Sequence, residues 1–73
     1  MSAAQAAYAD RQAKARHLVE RLSQALDTHA AAAGVQPSNW GFAGDLGAVC
    51  SHLIDGLGML GALTDQERAL HQV

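Results

Sequence analysis

The first half of the chain contains a long stretch without glycine or proline, the two residues that most often interrupt a helix. Between Ser2 and Ala33 alanine, the residue with the highest helix propensity, dominates. Apolar side chains recur there at three- and four-residue steps, which places them on one side of a helix. Ser2 and Gln5 have the spacing of a capping box. The sequence therefore predicts a first helix over residues 3–33, ended by Gly34.

A second segment is helical by period but poor in helix propensity. Pro37 lies in a predicted loop over residues 34–38, and a second helix is expected over residues 39–63. Its large apolar residues fall within a sector of about 140°. Six of the seven glycines also lie in this segment, and each lowers helix stability by about 0.5–1 kcal/mol relative to alanine. In the alternative interpretation, the glycines at 56–61 end or kink this helix.

Thr64 and Glu67 form a further capping-box pattern, which predicts a short third helix over residues 65–72. Two helices joined by a short loop pack antiparallel. The chain is thus expected to be a single all-α domain over residues 1–73, built as an antiparallel helical hairpin with a short C-terminal helix.

A chain of 73 residues is close to the lower limit for folding alone, and small scaffolds usually add a disulfide, a metal or a partner subunit. Cys50 is the only cysteine, so an internal disulfide is excluded. We therefore expect a homodimer in which two hairpins form a four-helix bundle. The residues predicted for its core and dimer interface are Leu18, Leu22, Leu26, Phe42, Leu46, Val49, Cys50, Leu53, Leu57 and Leu60.

Composition argues against several classes of function. The net charge is −2 and 16% of the residues are charged, without the concentrated basic excess of nucleic-acid-binding proteins. The sequence has no run of about 18 apolar residues, so no membrane span is predicted. It also has no basic segment followed by an apolar one, so no secretion signal is predicted. A single free thiol is typical of the reducing cytoplasm, which is the expected location.

Small residues recur four apart beside the large apolar side chains of the second helix, as in the pairs Gly44/Ala48, Gly47/Ser51 and Gly58/Ala62. Such spacing lets another backbone approach closely. The first helix, a second subunit or a foreign protein could each pack against these small residues. An exposed tryptophan at the edge of this surface would be a favoured binding residue. The predicted protein-binding residues are Trp40, Gly44, Gly47, Ala48, Gly58 and Ala62.

Residues capable of catalysis or metal binding are sparse. The histidines do not form any metal-binding motif, so no cofactor, no metal and no enzymatic activity are predicted. Asp45, His52 and Asp55 are near one another on a helix and provide an alternative hypothesis, in which a carboxylate–imidazole cluster binds metal or transfers protons.

The main alternative is nucleic-acid binding through basic residues of the first helix. Lys14, His17 and Arg21 fall on one side of that helix, with Arg11 nearby. Such a stripe on a dimeric helical hairpin could contact phosphates. The RNA-binding plasmid regulator Rop has this architecture, and the similarity is one of fold alone.

The segment Asn39–Gly47, with the apolar pattern that follows it to residue 63, resembles short proteins of unknown function from bacterial plasmids and genomic islands. The resemblance implies a bacterial accessory protein of a mobile element. It does not assign an activity to any residue of this chain. Together with the composition, it leads to the hypothesis of a non-enzymatic interaction module that regulates or inhibits another protein by binding it.

Overall fold

The computed structural model describes residues 2–70, which form three helices: α1 (Ala3–Val35), α2 (Trp40–Met59) and α3 (Asp65–Leu70). Strands are absent from these residues. The predicted all-α class is therefore confirmed. The chain divides into two units between Pro37 and Ser38. The first unit contains α1, whose 33 residues extend over about 50 Å, and the second contains the 20-residue α2, about 30 Å long, and α3.

The start of α1 is fixed by the predicted capping box. The Gln5 backbone N–H donates to the Ser2 hydroxyl at 3.1 Å, and the Ser2 backbone N–H donates to Gln5 Oε1 at 2.9 Å. One turn further, Lys14 Nζ lies 3.0 Å from Asp10 Oδ2, at the four-residue spacing that supports a helix. Both features follow directly from residue spacing in the sequence.

The end of α1 differs from the prediction. The helix continues through Gly34 to Val35, so the assignment of Gly34 as the helix terminator is wrong. The chain leaves the helix at Gln36, which has φ −130° and ψ 64° and whose backbone N–H donates to the Ala33 carbonyl at 3.1 Å. Pro37 explains this position, because a proline disfavours helical geometry in the residue before it.

Asn39 caps the start of α2. Its Oδ1 accepts the backbone N–H of Gly41 at 2.9 Å, which satisfies one of the free donors in the first turn. A Cβ atom added at Gly41 would lie 3.0 Å from that oxygen. Glycine at this position therefore has a local reason, since a larger residue would push the cap aside.

The C-terminus of α2 lies at Met59, four residues before the predicted end at Leu63. Gly61 has φ +69°, the left-handed conformation that glycine adopts most readily. Its N–H donates to the Gly58 carbonyl at 3.1 Å, and the Ala62 N–H donates to the Leu57 carbonyl at 3.0 Å. This is the hydrogen-bond pattern of a Schellman motif, so Gly61 ends a helix that runs unbroken through Gly56 and Gly58.

The third helix begins with its predicted capping box. The Thr64 backbone N–H donates to Glu67 Oε1 at 2.9 Å, and the Glu67 backbone N–H donates to the Thr64 hydroxyl oxygen at 3.1 Å. Arg68 Nη1 lies 3.1 Å from Asp65 Oδ1. The described part of α3 ends at Leu70, and residues 71 and 72 of the predicted helix lie outside the described residues.

The described part of the chain has no buried side chain. Four of the ten predicted core residues are half-buried: Leu22, Phe42, Val49 and Leu57. The other six are exposed: Leu18, Leu26, Leu46, Cys50, Leu53 and Leu60. The periodic apolar positions are therefore at most half-buried among the described residues. Within residues 2–70, we also find no helix with the length and apolar content needed to cross a membrane.

Candidate protein-binding face

Most of the predicted binding residues lie on one side of α2. At about 100° per residue, four small residues of this side fall within a sector of about 60°, and Ala48 lies about 40° further round. We call these five residues the small-residue face: Gly44, Gly47, Ala48, Ser51 and Gly58. Trp40, the first residue of α2, has the same angular position. The face follows from the glycine spacing and from the continuity of the helix through Gly58.

The space over this face is open. A Cβ atom added at Gly44, Gly47 or Gly58 would have no atom within 4 Å, apart from its own chain neighbours and helix backbone. Gly41 is the contrasting case in the same helix, because there the cap oxygen lies close by. Within the described part of the second unit, no packed side chain accounts for the three glycines of the face. The first helix, a second copy and a foreign protein are the occupants predicted from the sequence.

Ala62 does not belong to the face. The Gly58/Ala62 pair requires the helix to continue past residue 60, but α2 ends at Met59. Ala62 instead contributes its backbone N–H to the hydrogen bonds that close the helix end. The predicted binding surface is therefore shorter than expected, and Gly58 is its last small residue.

The two ends of α2 carry exposed apolar side chains. Trp40 is 86% exposed at the start of α2 and Met59 is 88% exposed at its end. Met59 lies about 100° round the helix from Gly58 and off the main apolar stripe, so residue spacing did not predict it as a binding residue. Asp45 and Asp55 are the only charged residues of α2, which has no lysine or arginine. A partner on this face would thus meet apolar ends and an acidic surrounding surface.

Two of the basic residues of α1 contact polar side chains of their own helix. Lys14 pairs with Asp10 at 3.0 Å, and Arg21 Nη1 donates to Gln24 Oε1 at 2.7 Å. His17 lies on the same side as Lys14 and Arg21, whereas Arg11 lies about 120° from His17 around the helix and only flanks this side. Exposed ion pairs are weak, about 0–1 kcal/mol, yet Asp10 reduces the positive charge that the stripe would present to phosphate groups.

The acidic residues and the histidine considered for metal binding do not form a metal-binding group in the described part of the chain. Residues 2–70 include no group of three or more His, Cys, Asp or Glu side chains arranged to hold a metal ion. Asp45, His52 and Asp55 therefore do not make up such a group, although their helical spacing places them on neighbouring positions of α2. Cys50, which was expected to be a buried small apolar residue, is exposed.

Comparison with known proteins adds no family: no protein-family model, curated protein or solved structure matches this chain.

Proposed function

We propose that this protein is a small non-enzymatic interaction module that regulates or inhibits another protein by binding it through the small-residue face. The observation that carries the proposal is the open space over Gly44, Gly47 and Gly58. Each glycine lowers helix stability by about 0.5–1 kcal/mol, and no side chain of the described part of the second unit packs against these positions to explain that loss. A partner backbone that approaches closely would explain it, since a side chain at these positions would hold the partner away.

The surroundings of the face indicate what kind of partner fits. Tryptophan is enriched among residues that dominate binding energy, and methionine adapts its shape to different apolar surfaces. Trp40 and Met59 supply such contacts at the two ends of α2. The carboxylates of Asp45 and Asp55 favour a partner with basic side chains at its edge. The proposed partner is therefore a helix or loop with small or apolar residues at its centre and basic residues beside them.

The protein is further proposed to act as a homodimer that forms a four-helix bundle. The support is that no described side chain is buried. Stable folding of so small a chain requires a closed apolar interior, which a second copy would complete.

The proposed setting is the bacterial cytoplasm. It rests on the resemblance of residues 39–63 to proteins of plasmids and genomic islands, and on the single thiol of Cys50, which a reducing compartment would keep free. An accessory protein of a mobile element that acts by binding a host or plasmid protein is consistent with this small size.

The test is affinity capture from the native host with the wild-type chain and two variants. Gly47→Leu fills the space over the face and improves helix propensity, so folding is retained. Gly34→Leu is the matched control, because a Cβ atom added there also has no atom within 4 Å but the position lies on α1. We expect one partner to be captured by the wild type and the control and lost with Gly47→Leu. Equal capture by all three chains would show that the face is not the binding site.

A further inference from the structure

We draw no further inference here: the strongest candidate, the exposed apolar surface patch of Leu46, Leu53 and Leu60 along α2, carries nothing, because nothing in residues 2–70, the described part of the chain, shows what covers it.

Discussion

Replacing Gly47 by alanine is expected to stabilise this protein, although most substitutions in a helical domain destabilise it. The added methyl group would meet no atom within 4 Å, so it introduces no overlap. Alanine also restricts the unfolded chain more than glycine does, which favours the helix by about 0.5–1 kcal/mol. For a domain of this size each kcal/mol shifts the melting temperature by about 4–8 °C. We therefore expect an increase of several degrees.

Two other glycines of the same segment provide opposite controls. At Gly41 the new Cβ would lie 3.0 Å from Asn39 Oδ1, so the side chain that caps α2 must move and part of the helix propensity gain is lost. At Gly61 the backbone has φ +69°, where an alanine is strained by about 1–2 kcal/mol. Gly61→Ala should therefore lower the melting temperature, and Gly41→Ala should change it little.

The assay is thermal and urea unfolding followed by circular dichroism, with all three variants at the same protein concentration because a dimer's melting temperature depends on concentration. The expected order of stability is Gly47→Ala, then the wild type and Gly41→Ala, then Gly61→Ala. If Gly47→Ala were the least stable variant, a surface of the folded protein would be pressing on this position. The conclusion that the face is open would then be refuted.

Three further predictions concern helix ends and charge. Ser2→Ala should remove one half of the first capping box, costing about 0.5–2 kcal/mol, and hydrogen exchange of the first turn of α1 should accelerate while that of α2 is unchanged. The Thr64 backbone N–H and hydroxyl lower the pKa of Glu67 below its ordinary value, so stabilisation of α3 is full above the ordinary glutamate pKa and is lost as the pH falls through the lowered one. NMR titration of the Glu67 carboxyl carbon should show the lowered pKa, and Glu67→Gln should remove the acid-dependent loss of α3 amide protection. Gel-shift assays at low salt should show no retarded RNA or DNA, because Asp10 offsets part of the basic stripe; binding that weakens steeply with salt would restore the nucleic-acid alternative.

Local hydrogen bonding was the part of this fold that the sequence predicted best. The capping pairs Ser2/Gln5 and Thr64/Glu67 are confirmed by both of their hydrogen bonds. Such motifs depend on residues three apart, so tertiary packing has little influence on them. They fix where α1 and α3 begin with no knowledge of the rest of the chain.

Helix ends were predicted less well, because glycine marks a terminator only when the chain adopts positive φ there. Gly34 and Gly61 are chemically identical, yet Gly34 lies within α1 and Gly61 ends α2. Pro37 decides the first case by disfavouring helix at Gln36. In the second case the Schellman hydrogen bonds form because the chain turns toward Thr64, the start of the next helix.

The candidate site was predictable as a pattern, while its limits were not. Residue spacing placed Gly44, Gly47 and Gly58 on one side of a helix, and the structure shows that side open. Spacing could not exclude Ala62, since that depended on the helix ending at Met59. Nor can periodicity say what covers an apolar surface: it identifies the side of the helix that avoids water, and the occupant is a property of a second molecule.

Combining Gly44→Ala, Gly47→Ala and Gly58→Ala in one chain separates stability from function. The positions are open and their effects should nearly add, giving about 1.5–3 kcal/mol of stabilisation. If the glycines serve a partner that approaches the helix backbone, the more stable variant should keep the oligomeric state of the wild type and should capture less of the partner. The measurements are sedimentation equilibrium and quantitative capture on the same preparation. A variant that is more stable and binds the partner as well as the wild type would show that close approach is not the reason for glycine at these positions, and that partner binding depends on another surface.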